Sequence, residues 1–268
     1  MAFGMLVLKL TLTPLLLLVV SMSARWWGPS IAGWLTGLPL GAGPILYLLV
    51  LAHGPIFGAR AATLSLAGIL ALEAFNFAYA LICRSLSWPA ALLAGLIVWF
   101  VSTCGLSMLP ASPLWAAIVA LAAVCFSLVF LPRSSAIASG APLSPFDLMA
   151  RMVAGVLLTI LITSISGWAG PDWSGLLAVF PLFGIILSVS SHRTHGPGFV
   201  VSLCRGMALG RFSFVAFCLV LSYSLPTQTV PFAFGEALIA AMIVQSFTKQ
   251  LVKTVSSDIK GQNIVPAK

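Results

Sequence analysis

Runs of about twenty apolar residues, broken only by Gly, Pro and isolated charges, recur from one end of this chain to the other. As a helix, a run of that length spans the roughly 30 Å hydrocarbon core of a bilayer. Backbone in lipid must satisfy its own hydrogen bonds, so spans are helices or closed barrels. These runs lack the alternation of barrel strands, which leaves helices. Punctuation divides the 268 residues into nine segments, at about 3–23, 29–52, 56–83, 88–109, 113–132, 145–168, 174–192, 198–224 and 231–250. Composition agrees: 60% of residues are hydrophobic and 7% are charged, where a soluble domain carries about 25% charge. The chain reads as an all-α integral membrane protein with nine transmembrane helices.

The first run is longer than a signal-peptide core and lacks a charged leader, so it reads as a retained span. Cys83, Cys104, Cys125, Cys204 and Cys218 all fall inside apolar runs. They read as packing residues, not as a disulfide or metal framework.

The few charges orient the spans. With the N-terminus outside, the inner loops hold Arg25, Arg84, Arg133 and Arg193, and the inner tail adds Lys253, Lys260 and Lys268. Outer positions hold Arg60, just within the third span, and Asp172. Basic loops mark the cytoplasmic side, so nine spans with the N-terminus out and the C-terminus in form the consistent solution. The net charge of +8 is then a topology signal, and nucleic acid is not an expected partner.

An internal repeat gives the most information. His53-Gly54-Pro55 recurs 142 residues later as His195-Gly196-Pro197. Without a gap, the same offset carries Trp26 to Trp168, Gly28-Pro29 to Gly170-Pro171, Gly33 to Gly175 and Pro39-Leu40 to Pro181-Leu182. It also carries Phe57 to Phe199, Gly68 to Gly210, Ala74-Phe75 to Ala216-Phe217 and Pro89 to Pro231, and puts Lys9 onto Arg151. Shared Gly, Pro, Trp and His at one offset point to duplication, because apolar sequences match by chance mainly at Leu and Ala. The expected domains are a four-span repeat at 1–110, a linker helix and cytoplasmic loop at 111–143, a second four-span repeat at 144–252 and a tail at 253–268. The odd linker span turns the second repeat over. Inverted repeats of this kind characterise many secondary transporters.

The stretch Gly175-Leu176-Leu177-Ala178-Val179-Phe180-Pro181-Leu182-Phe183, after a span carrying Arg151, resembles the GlpM family. These are small four-span bacterial inner-membrane proteins with a basic residue in the first span and a Gly-Leu…Phe-Pro motif in the second. The resemblance covers about 151–226, and the first-half counterpart from Gly33 to Pro39 lacks the Phe. It implies a duplicated, fused four-span unit and brings no activity with it. The four-plus-one-plus-four plan is also similar to fused fluoride channels in architecture, without their polar track.

Two kinds of residue are candidates for a site. The second span is interrupted at Gly37-Leu38-Pro39-Leu40-Gly41 and the seventh at Phe180-Pro181-Leu182-Phe183-Gly184. Proline removes a backbone donor and clashes with the preceding turn, and paired broken helices in two halves point to a midplane site. Packing kinks with glycines for close helix contact are the bland alternative. Intramembrane charges are the second kind, costing at least about 2.5–3.5 kcal/mol each at the bilayer centre. Glu73 and Asn76 lie in the third span, and Arg205 and Arg211 in the oppositely running eighth. A two-fold axis near residues 71 and 213 brings Glu73 and Arg211 to one depth, where they are expected to pair. Substrate binding is therefore assigned to Pro39, Gly41, Pro181, Gly184, Glu73, Asn76, Arg205 and Arg211.

Lys9 and Arg151 are expected to snorkel to opposite faces, or to draw an anion to the two mouths of a pathway. Asp147, one turn before Arg151, could neutralise it. His53 and His195, each before Gly-Pro, are turn residues or coupling groups at two gates. Glu236 sits at a helix start, where negative charge is favoured.

No HExxH, CxxC, GxSxG or Walker A motif occurs, and no enzyme, cofactor or metal site is expected. The leading function is a small secondary transporter of the bacterial inner membrane, for a polar or anionic solute, working by alternating access. A passive channel and a non-transporting scaffold are the alternatives. Expected partners are the bilayer, a small solute or ion, and other copies of the chain in a homo-oligomer.

Overall fold

Proline opens helix after helix in the computed structural model of this protein. It describes residues 2–39, 41–108, 112–132, 145–166 and 170–262, and within these all side chains except 2–10, 12, 13, 145, 159, 162–166, 170–172, 174 and 249–262. The described helices are α1 (Ala2–Trp27), α2 (Pro29–Leu35), α3 (Ala42–His53), α4 (Pro55–Ile82), α5 (Trp88–Ser107) and α6 (Pro113–Phe130). They continue with α7 (Pro145–Ser166), α8 (Gly170–Ala178), α9 (Leu182–His195), α10 (Pro197–Ser224) and α11 (Val230–Gln262). Five of them begin on a proline, whose missing N–H and fixed φ cost nothing at a first helical position. Before Pro55 and Pro197 stand Gly54 and Gly196, with φ of 89° and 79°. Glycine alone enters that region without strain, so each Gly-Pro pair turns the chain sharply from one helix into the next.

The protein is a multi-pass helical membrane protein. Among the described residues, six helices are long and apolar enough to cross a membrane: Pro55–Ile82, Trp88–Ser107, Pro113–Phe130, Gly175–His195, Pro197–Ser224 and Val230–Thr248. The second expected span is two helices, α2 and α3, because Gly37, Pro39 and Gly41 stop α2. The backbone there turns through short bonds, from Gly37 N–H to the Trp34 carbonyl (3.1 Å) and from Leu38 N–H to the Leu35 carbonyl (3.2 Å). The seventh span is likewise two helices, α8 and α9, parted by a shorter break. Leu182 N–H reaches the Phe180 carbonyl at 2.7 Å around Pro181, whose φ −73° and ψ 45° close a three-residue turn. In the first segment α1 runs Ala2–Trp27, 26 residues, with the side chains of 2–10, 12 and 13 outside the described ones, and part of the sixth segment lies outside the described residues.

The centre of the bundle is α4 against α10, the two most buried long helices. Around them α5 and α6 pack on α4, and α11 and α6 on α10, leaving much of α5, α6 and α11 exposed. The short helices cross over: α2 lies on α10, while α8 lies on α4. Both crossings are tight enough to demand glycine. A Cβ on Gly210 would stand 2.2 Å from the Trp34 carbonyl oxygen, and one on Gly175 would stand 2.6 Å from that of Ala61. Small residues let helices approach in lipid, where packing and interhelical hydrogen bonds drive association. Ser213 Oγ donates to the Gly37 carbonyl (3.2 Å) and Ser65 Oγ to the Gly175 carbonyl (2.8 Å), tying one central helix to each short helix. Against this core α1 pairs with α7.

Candidate functional site

Two turns of helix set the site's geometry. Glu73 and Asn76, three residues apart, share one face of α4, and Arg211 faces them from α10. Arg211 Nη1 donates to Glu73 Oε1 in a buried ion pair, with the carboxylate side chain 2% exposed. The contact expected from the crossing of the two spans is therefore present. With the Asn76 amide turned so that its oxygen faces the guanidinium, that oxygen accepts from Nη1 at 2.7 Å and from Nη2 at 2.9 Å. The planar guanidinium thus forks between a carboxylate and an amide. One acceptor stays unused: Glu73 Oε2 is buried and has no hydrogen-bond partner.

Both helix breaks touch this cluster or its immediate packing. A Cβ on Gly184 would stand 3.4 Å from the Asn76 amide and 3.3 Å from the Phe75 ring. Phe183, next to it, lies 3.1 Å from where a Gly41 Cβ would be, so the two breaks meet through a phenyl ring. Gly37 is pressed against the backbone of Gly210, beside Arg211. Pro39 and Pro181 are both buried. The carboxylate, amide, guanidinium and two interrupted helices form one continuous region, in which an anion could meet a guanidinium and a proton could meet a carboxylate.

Other expected site residues fall elsewhere. Arg205, half-buried, donates through Nη1 to the Leu131 carbonyl at 2.6 Å. That carbonyl closes α6, and a cation there answers the unpaired acceptors and negative pole of a helix C-terminus. This bond ties Arg205 to the end of α6. Snorkelling of Arg151 is corrected: the residue is 3% exposed. Its Nε donates to Ser190 Oγ of α9 at 2.8 Å and its Nη1 to Ser21 Oγ of α1 at 3.1 Å. Two hydroxyls from neighbouring helices satisfy the head group in place, which removes the need to reach the interface. Asp147, one turn before Arg151, attracts its charge, and among the described residues the two make no direct ion pair. The side chain of Lys9 lies outside the described residues. His53 is exposed and stacked on Phe57, while His195 is half-buried and stacked on Phe199, with ring centroids 4.4 Å apart in both cases. Ser224 Oγ donates to Glu236 Oε2 at 3.0 Å.

Several polar groups were not anticipated. Trp34 Nε1 donates to Thr248 Oγ1 (3.0 Å) and Gln245 Nε2 donates to the Trp34 carbonyl (3.0 Å), pinning α2 to α11. Gln245 and Thr248, one turn apart in an apolar span, were the visible signal for this contact. Tyr79, on α4 one turn beyond Asn76, places its hydroxyl 3.4 Å from His192 Nδ1 on α9. The spacing Glu73, Asn76, Tyr79 was likewise legible along one helix. Among the described residues no group of three or more His, Cys, Asp or Glu is placed to hold a metal ion.

No family model, curated protein or solved structure matches this chain. The likeness of Gly175–Phe183 to the GlpM motif rests on those residues alone.

Proposed function

We propose that the protein is a secondary transporter of the cytoplasmic membrane for a small anionic solute. The observation that carries the reading is the buried Arg211, shared between Glu73 and Asn76 and flanked by two interrupted helices. Buried charge in a membrane is expensive, and helices interrupted in corresponding positions mark transport sites. In this reading the chain crosses the membrane nine times, N-terminus out and C-terminus in, as two inverted four-span units with α6 between them. Mated features support the inversion. Gly54 and Gly196 share one backbone conformation, and His53–Phe57 and His195–Phe199 one stack. Phe75 packs near the second break and its mate Phe217 near the first, at Gly43. The exchanged crossings of α2 on α10 and α8 on α4 are the pattern a two-fold axis produces. The GlpM-like four-span unit belongs to the same proposal. Alternating access is rocking of one unit on the other about the Glu73–Arg211 contact.

Reconstitution into proteoliposomes tests this. Uptake of a labelled carboxylate across an imposed pH gradient is expected for the native chain and is lost in Arg211→Ala. Absence of flux across a broad panel of anions sinks the reading and leaves a scaffold.

A further inference from the structure

We propose that Glu73 and a carboxylate ligand compete for Arg211, so that each carboxylate is bound together with one proton, taken up by Glu73. The proposal builds on the transport reading and names its substrate class and coupling ion. It starts from charge conservation in a buried site. In the observed state the guanidinium is neutralised by Glu73 Oε1, and the pair is almost wholly shielded from solvent. An anion entering this site alone would leave one carboxylate without a counter-charge in a low-dielectric interior, at a cost of several kcal/mol. An anion entering with a proton leaves the net charge unchanged. The proton goes to the Glu73 carboxylate, whose Oε2 is buried without a partner. The neutral acid then releases Arg211, and the ligand carboxylate takes the place Glu73 held.

The chemistry of the present occupants selects the ligand. The edge of the guanidinium now meets a carboxylate oxygen at Nη1 and an amide oxygen at Nη1 and Nη2. A carboxylate reproduces this planar fork, and Asn76 can keep its contact during the exchange. Gly184 packs so closely on the Asn76 amide and the Phe75 ring that a Cβ there would stand 3.4 and 3.3 Å from them, so the ligand carboxylate enters the place that Glu73 vacates.

On the side of Glu73 toward the end of α9, α4 carries Tyr79 two turns beyond Glu73, and its hydroxyl is 3.4 Å from His192 Nδ1. His192 is partly exposed and is the group that can exchange protons with water. Among the described side chains, the other groups around Glu73 do not replace it. From α10 come Arg211 and the buried Cys204, and Cys83 lies farther along α4. The spans α5 and α6 contain no Asp, Glu, Lys, Arg or His, and Tyr47 and His53 of α3 are exposed.

Titration calorimetry of the full chain in nanodiscs tests the exchange, with acetate and lactate as probes and chloride as control. Each probe is titrated in two buffers of different ionisation enthalpy. The expected result is uptake of about one proton per carboxylate, with affinity falling about tenfold per pH unit where Glu73 must gain its proton, since coupled sites bind reciprocally. Glu73→Gln is expected to bind acetate with no buffer dependence and no pH dependence, and Arg211→Gln to bind none. Tyr79→Phe keeps the equilibrium proton count and slows proton-coupled uptake in proteoliposomes. Binding by the native chain without proton uptake overturns the proposal, as does absence of acetate and lactate binding, and neither result needs a variant to fold. Proton-linked binding without flux keeps the exchange and defeats the transport reading. Flux of another solute without carboxylate binding does the reverse.

Discussion

Arg151 and Arg211 both lie buried in this bundle and are held in different ways. Arg211 faces a carboxylate across the central α4–α10 contact. Arg151, at the periphery between α1, α7 and α9, is held by the hydroxyls of Ser21 and Ser190. The difference lies in what each leaves behind. Removing Arg211 strands an anion in the core, whereas removing Arg151 strands two hydroxyls that can turn to their own helices. A charge answered by a charge can change partners; one held by hydroxyls is anchored by charge-assisted hydrogen bonds to neutral groups.

The largest effect should come from breaking the central pair. Arg211→Ala is expected to destabilise the protein by about 3–5 kcal/mol, the usual result of leaving one member of a buried pair. Thermal unfolding in detergent reads it, and the double variant Glu73→Gln with Arg211→Gln should recover most of the loss. A single variant as stable as the double would mean that the carboxylate has another partner. Next comes Arg151→Met, at about 1.5–3 kcal/mol, the scale of hydrogen bonds to a charged donor. A loss as large as that of Arg211→Ala would mean that the attraction of the nearby Asp147 counts for as much as a direct ion pair. The smallest effect belongs to Arg205→Met, which removes a half-buried donor from the Leu131 carbonyl and should cost about 0.5–1.5 kcal/mol. In flux assays the same ranking is expected to separate into abolition for Arg211→Ala and retained uptake for Arg205→Met.

How far each site could be read from the residues depends on how rare its chemistry is in a membrane. Glu73 and Arg211 stood out because charges are scarce in apolar runs, and the repeat supplied the depth at which they meet. Ser21 and Ser190 did not stand out. Serine is ordinary in such helices, where its hydroxyl bonds its own backbone, as Ser23 does with the Val20 carbonyl. Position in the span suggested an interfacial Arg151, and only the arrival of α1 and α9 beside it made burial affordable. Pro39 and Pro181 marked both interruptions, yet identical prolines gave different breaks. Both split a span into two helices, one through the longer stretch between Leu35 and Ala42, the other through a three-residue turn at Pro181.

The sequence by itself determined the class of molecule, the helical spans, the Gly-Pro turns and the charges that must find partners. These follow from local terms: apolar length, proline's missing donor, glycine's freedom and the cost of charge in lipid. Tertiary structure decided which partners those charges found. It placed Arg211 between Glu73 and Asn76, gave Arg151 two hydroxyls and sent Arg205 to the end of α6. The reason is that +8 of net charge constrains topology, while the fate of each buried cation depends on which helix packs within hydrogen-bonding distance.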